Sequence, residues 1–306
     1  MQILVGTASW TDKTLIACGR FYPPAVKTPE ARLRYYATRF PMVEVDASYH
    51  AIPTPASARA WAERTPADFV FNLKAFRLFT GHQTPLQFLH RDLQQALAPQ
   101  GRHLLYEDDM PTEIVDTLWQ RFHESLAPLE QAGKLEAVHF QFAPWVRCDA
   151  RGRARVEACA RRMAGRRMAV EFRHASWFTP RTTALTLDWL RALGVVHVVA
   201  DEPQGFTNSV PAIWAATHPD LAILRLHGRN SAAWNQKGLT ASSSRFDYDY
   251  AAHELAAMVP AIVGLARQVK RMQVVFNNNM EDQMQRNGLA LQQLLRSFDD
   301  GAGASA

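Results

Sequence analysis

Leu221-Ala222-Ile223-Leu224-Arg225-Leu226-His227 carries the pattern that sets the fold. Its first four residues are apolar without interruption, as in a strand covered on both faces. Its last three put two polar residues one position apart. Alternate residues of a strand share a face, so Arg225 and His227 point one way and Leu226 the other. The same polar tip recurs in Val43-Glu44-Val45-Asp46, Asn72-Leu73-Lys74, His139-Phe140-Gln141 and Glu171-Phe172-Arg173, and with wider spacing in His197-Val198-Val199-Ala200-Asp201. Strands whose ends all turn polar on one face predict a sheet or barrel with a wet, chemically dense mouth.

Working outward, eight strands are expected near 3–7, 42–46, 69–74, 135–141, 168–173, 195–201, 221–227 and 272–277. Amphipathic segments lie between them, at about 29–40, 55–64, 112–132, 152–165, 182–193, 248–270 and 283–298. Strict alternation of strands and helices favours an α/β fold, a single (β/α)8 TIM-like barrel, over an open doubly wound sheet. The barrel domain is expected to span 1–298, followed by a flexible tail at 299–306. The connection from the third strand to the fourth is long. Its first part, 77–110, holds His82, His90, His103 and Glu107-Asp108-Asp109, and is expected to pack over the mouth as a lid or a lateral excursion.

Composition narrows the class. The chain has 306 residues, 47% hydrophobic and 21% charged, as in an ordinary globule with a sizeable core. A formal charge of +5 permits anionic partners without requiring them. The three cysteines, Cys18, Cys148 and Cys159, lack C-x-x-C spacing, which argues against a disulfide scaffold or a zinc ribbon. The opening Met1-Gln2-Ile3-Leu4-Val5-Gly6 has no basic n-region, and no apolar run of about 18 residues occurs. The expectation is a cytoplasmic protein without a membrane partner.

If the strand ends converge, the mouth holds Glu44, Asp46, Asn72, Lys74, His139, Gln141, Glu171, Arg173, Asp201, Arg225 and His227, with Asn277 or Asn278 from the last strand. Four carboxylates then face three cations, and near-neutrality is needed because an unpaired buried ion costs several kcal/mol, on the order of its desolvation. Such a network can be a self-satisfying filler of the upper barrel. Polar groups at this end of a barrel more often mark a ligand site. Glu171, Lys74 and Glu44 are the candidate catalytic groups. Glu171 is first choice for proton transfer, and Lys74 suits a proton shuttle, a Schiff-base nucleophile or an anion anchor. Arg173, Arg225, His227, Asn277, Asn278, Gln141, Asp46, Trp10 and Trp177 are the candidate binding groups; guanidinium suits a carboxylate or phosphate, and the rim tryptophans suit a ring. A divalent metal is weighed and not favoured, since Lys74, Arg173 and Arg225 share the pocket and no H-E-x-x-H motif occurs. No nucleotide-cofactor motif is found, and the cofactor is left open.

In order along the chain come Gly6-Thr7-Ala8-Ser9-Trp10, Phe21-Tyr22-Pro23, Val43-Glu44-Val45-Asp46-Ala47-Ser48-Tyr49-His50, Phe69-Val70-Phe71-Asn72-Leu73-Lys74, Gln141-Phe142-Ala143-Pro144, Glu171-Phe172-Arg173-His174-Ala175-Ser176-Trp177, Arg225-Leu226-His227-Gly228-Arg229 and Phe276-Asn277-Asn278. This series resembles the domain of unknown function 72 (YecE-like) family. The resemblance implies a TIM-like barrel and motif status for Glu44, Lys74, Glu171, Arg173, Arg225, His227 and Asn277. It supplies no reaction. His50 stands where the family often has tyrosine, and Asn279 where histidine is common.

Three functions are weighed. The leading one is an enzyme, a lyase, isomerase or hydrolase, using acid–base chemistry on a small anionic or sugar-like metabolite. The second is nucleic-acid or nucleotide processing through the Arg147–Arg167 cluster (Arg147, Arg151, Arg153, Arg155, Arg161, Arg162, Arg166 and Arg167). The third is a non-catalytic metabolite-binding protein. Substrate, reaction and oligomeric state are not fixed by the sequence.

Overall fold

A computed structural model describes residues 2–98, 101, 103–238 and 242–303. The chain closes a parallel barrel from β1 (Gln2–Thr7), β2 (Met42–Val45), β3 (Val70–Lys74), β4 (Leu135–Gln141), β5 (Met168–Glu171), β6 (Val196–Asp201), β7 (Leu221–Leu226) and β8 (Arg271–Phe276). Each lies within two residues of its expected ends. Around the ring the order is β1-β8-β7-β6-β5-β4-β3-β2, so each strand sits beside its sequence neighbours and β8 returns to β1.

The connecting helices begin where turn chemistry says they should. Thr28 Oγ1 accepts from the Ala31 N–H at 3.1 Å, and Pro29 opens α2 (Pro29–Ala37). Thr54 Oγ1 accepts from Ser57 N–H at 3.1 Å, and Pro55 opens α3 (Pro55–Glu63). In both cases the cap satisfies an orphan donor and the proline has no N–H to lose. Further round lie α1 (Lys13–Cys18), α4 (Arg91–Leu97), α5 (Thr112–Gln131), α6 (Ala150–Arg162), α7 (Thr183–Ala192), α8 (Ala252–Ala266) and α9 (Gln283–Gly303). Because α9 runs to Gly303, its helical backbone passes through the expected tail boundary at 299; 304–306 lie outside the described residues. Among the described residues no helix is long and apolar enough to cross a membrane.

The β1–β2 seam is the shortest ladder involving β1, pairing Gly6 with Met42 and Thr7 with Val43. Gly6 is needed there, because a Cβ would fall 2.4 Å from the Met42 carbonyl oxygen. The seam is extended by a side chain. The Tyr36 hydroxyl on α2 accepts from the Thr7 N–H at 3.0 Å and donates to the Met42 carbonyl at 3.0 Å, acting as an extra rung.

Among the described residues of the 77–110 segment, an antiparallel ladder pairs Thr84–Pro85 with Leu104–Leu105, and Phe79, Leu93, Leu97 and Leu105 are buried. Phe79 stacks on Trp119 of α5 with centroids 3.9 Å apart. At the barrel end of the segment, the Arg77 N–H donates to the Tyr49 carbonyl and its guanidinium lies over the Tyr49 ring.

Tyr36→Phe removes one hydroxyl and strands two buried backbone groups. It is expected to lower unfolding free energy by about 2 kcal/mol, read from the urea midpoint. An unchanged midpoint would show that the seam does not depend on the phenol.

Candidate functional site

Inward-facing tips meet in two tiers at the C-terminal end of the barrel. The lower tier centres on Arg225 of β7, which has no exposed surface. Its Nη1 donates to Glu171 Oε2 at 2.8 Å and its Nη2 to Glu44 Oε1 at 2.7 Å. His139 lies between the same carboxylates, Nδ1 3.1 Å from Glu44 Oε2 and Nε2 3.3 Å from Glu171 Oε2. His227 places Nε2 3.0 Å from Glu171 Oε1 and Nδ1 3.0 Å from Asn277 Nδ2. With the Asn277 amide donating to Nδ1, the remaining imidazole proton sits on Nε2 and points at Glu171. Five strands thus supply one closed ionic cluster.

Electrostatics follow from the packing. Burial opposes ionisation of Glu171, but His227 and Arg225 beside it, with contacts from His139 and His227, carry its pKa well below the usual range. Burial likewise opposes the Glu44 charge, and Arg225 and His139 bring it down to about 2. Burial pushes the His227 imidazole down to about 3 despite the facing Glu171. Glu171 is 0% and Glu44 1% exposed. These two candidate catalytic carboxylates thus have almost no exposed surface. Both are held ionised beneath the mouth, with their oxygens turned to cations and imidazoles.

The upper tier is more open. Lys74 Nζ donates to Asp46 Oδ1 at 2.6 Å and lies 4.8 Å from the centre of the Tyr49 ring. Asp46 keeps 31% of its side chain exposed. Arg173 Nη1 is shared by Glu171 Oε1 at 3.0 Å and Glu202 Oε2 at 2.6 Å, and its guanidinium covers the Trp234 ring at 4.9 Å. The other edge of that guanidinium, Nε and Nη2, makes no hydrogen bond among the described residues, and neither atom is among the buried unpaired ones. Gln141, half-buried, stands in register with Glu171.

Several expected site residues lie elsewhere. Trp177 is fully buried, stacked on Phe172 at 3.9 Å with its indole N–H donating to the Val146 carbonyl, so it belongs to the helix–barrel core. Trp10 is buried edge-on against Trp61 at 5.9 Å, and lines a cleft of about 340 Å³ that Asp46 also borders. Asn278 Nδ2 donates to the Tyr248 carbonyl and to Asn287 Oδ1, both at 2.8 Å. Adjacent residues at a strand end turn opposite ways, so Asn277 and Asn278 do not both enter the mouth. His197 also faces outward, its Nε2 3.0 Å from the Ile213 carbonyl. Asp201 is taken by Arg229, both Nε and Nη2, and by the Tyr250 hydroxyl.

Two groups were not foreseen. Glu202 is buried just past β6, with Oε1 accepting from the Val210 N–H at 2.7 Å. Three carboxylates, Glu44, Glu171 and Glu202, face two guanidinium ions, Arg173 and Arg225, which leaves Glu202 as the surplus one. Burial accordingly pushes it up to about 7 against the pull of Arg173. Asp12, in the loop after β1, is raised to about 7 by burial and by Asp46. Neither has a partner one position away along a strand, so the alternating pattern gave no signal for them.

The arginine cluster is largely spent within the chain. Arg151 and Arg155 bind Asp108, Arg162 binds Asp116, Arg166 binds Glu130 and Arg167 binds Glu136. Arg153 lies over the Trp189 ring at 5.5 Å. Among the described residues no group of three or more His, Cys, Asp or Glu is arranged to hold a metal ion.

The fold and site define a (β/α)8 barrel with a polar, ion-paired C-terminal mouth. The family model described as "Protein of unknown function DUF72" matches residues 4–304, and the chain belongs to that family. It is 32% identical over 296 residues to the UPF0759 protein YunF of Bacillus subtilis (strain 168), covering 96% of this chain and 95% of that one. A crystal structure of a DUF72 family protein from Enterococcus faecalis V583 matches with a TM-score of 0.77 at 26% identity over 96% of each chain. Another, from Thermotoga maritima MSB8, gives 0.75 at 27% identity over 97% of this chain and 100% of that one.

A carboxyl raised in the folded state favours folding while protonated. Its contribution is complete below about 4.5 and is lost as pH rises through about 7. Glu202→Gln is therefore expected to gain stability relative to the wild type between those values. Parallel denaturant curves for the two proteins across that range would contradict the assignment.

Proposed function

We propose that the protein is an acid–base enzyme acting on a small anionic metabolite bound in the upper tier of the mouth. The observation that carries this reading is the Arg173 guanidinium. Its Nη1 is anchored by Glu171 and Glu202, while its Nε–Nη2 edge is unengaged among the described residues. That edge has the fork geometry that takes a carboxylate or phosphate bidentately. Anchoring by two carboxyl groups orients it in advance, so little side-chain freedom is lost on binding.

Across the mouth, the Lys74–Asp46 pair is the proton-transferring side. Lys74 gives a proton to the substrate atom next to the anionic group, and Asp46 orients the ammonium. Asp12, beside Asp46 and raised to about 7 by burial and by that carboxylate, exchanges the second proton. In this reading Gln141, half-buried in register with Glu171, takes a substrate hydroxyl of the kind a sugar acid or sugar phosphate carries. The buried cluster of Glu44, His139, Glu171, Arg225 and His227 supports this tier without touching substrate. The nucleic-acid reading is not adopted, because most of the arginines it needs are already paired with carboxylates of the same chain.

A screen of sugar phosphates, sugar acids and keto acids tests this. Arg173→Met is expected to raise KM for the active substrate by about 10- to 100-fold, in line with loss of a charged hydrogen-bonded pair. Lys74→Met is expected to lower kcat by about 100-fold or more while the circular dichroism is unchanged. Full turnover in both variants would remove the upper tier from the reaction.

A further inference from the structure

Trp145 is the one tryptophan of the eight in the chain that stands exposed, at 53%. Burying such a ring is worth a few kcal/mol, roughly 25 cal/mol per Å² of apolar surface, and a folded chain normally does so. Here the ring is held out. Its indole N–H donates to the Gly81 carbonyl at 3.0 Å, and its edge meets the His82 ring with centroids 5.8 Å apart. The polar handle is thus satisfied and the orientation fixed, with part of the ring left uncovered. Tyr106, 38% exposed, lines the same cavity of about 400 Å³. That volume falls within the range of small-molecule sites, about 300–1,000 Å³.

The charges around the cavity decide what would fit. Arg147, Arg151 and Arg155 are matched by Asp108, Asp109 and Asp149, so the lining has no net formal charge. Arg151 Nη2 and Arg155 Nη2 each donate to one oxygen of Asp108, both at 2.7 Å, which fixes a planar polar edge beside the aromatic groups. A phosphate would meet three carboxylates here, and an ammonium three guanidinium ions. A neutral ring with an apolar face and a hydroxylated rim meets neither penalty. Its C–H face would lie on the indole, and its hydroxyls would both donate to carboxylates and accept from guanidinium groups.

We infer that this groove is a carbohydrate-binding site that takes one neutral sugar ring against Trp145. The site does not depend on the reaction at the mouth, but it adjoins it. The His82 ring touches Trp145 on one side and Tyr49 on the other, centroids 5.3 Å apart, and Tyr49 covers Lys74. A ring in the groove therefore lies outside the rim, where the next unit of a longer glycoside would extend.

Saturation-transfer NMR with methyl glycosides and disaccharides of glucose, xylose and mannose, and with AMP for comparison, tests the inference on the full chain. At least one neutral sugar is expected to receive saturation at its ring C–H protons, and AMP is expected to bind more weakly. Trp145→Ala should abolish the sugar signal, while Trp145→Phe, which keeps a ring face, should retain part of it. Arg173→Met, at the mouth, should leave it unchanged, which separates this site from the proposed active site. No sugar signal from the folded wild type, a signal that survives Trp145→Ala, or tighter binding of AMP than of every sugar would overturn the inference.

Discussion

Arg225 brings a full positive charge into the middle of the barrel with no exposed surface, and the rest of the mouth is arranged around that charge. Moving such an ion out of water costs several kcal/mol, on the order of its effective desolvation penalty, unless close partners offset it. Glu44 and Glu171 do so from strands far apart in sequence, at 2.7 and 2.8 Å. The pairing is mutual, since each carboxylate is equally costly without the guanidinium. Breaking any one contact would leave an uncompensated ion inside a closed ring of strands. The arrangement therefore selects one register for β2, β5 and β7 together.

A consequence is a division of labour by depth. The lower tier spends its charges on itself, and the shared Glu171 links it upward to Arg173. The upper tier is left with a partly open guanidinium edge and a Lys74–Asp46 pair in which Lys74 is buried and Asp46 partly exposed. Residues that look alike in the sequence, two glutamates and two arginines at strand tips, thus have different chemical prospects. Glu171 is held as an anion by its neighbours, whereas Glu202, one charge in excess, holds a proton near neutrality. The tool for that distinction is the count of facing charges at each depth.

Most of the fold was legible because strand-tip alternation is a local property. Eight apolar runs with polar ends specify eight parallel strands, and the Thr-Pro helix starts mark where the chain turns back. Glu44, Lys74, His139, Glu171, Arg173, Arg225 and His227 were all gathered by the same rule. The rule failed where side-chain direction is set by tertiary packing. Trp177 follows Glu171-Phe172-Arg173 closely enough to suggest a rim position, but Phe172 and Trp189 offer it a stacked apolar berth. His197 lies early in β6 and takes the outer face. Glu202 lies just beyond the strand, where alternation no longer applies and the turn toward Val210 decides its direction. Depth within the mouth is likewise invisible to a one-dimensional pattern, and so the carboxylates best marked by spacing proved to be the ones furthest from solvent.

The phenol rung between β1 and β2 ties sheet closure to a helix. Thr7 and Met42 are joined through Tyr36, so the first two strands reach their final spacing only after α2 has docked. The other edge of β1 waits for β8, whose residues 271–276 are made last among the strands. Until β8 is in place, that edge of β1 is unpaired. Long-range pairings of this kind form slowly and expose strand edges in the interim. Closure of the ring thus rests on a long-range ladder at one edge of β1, while a phenol on α2 joins the other.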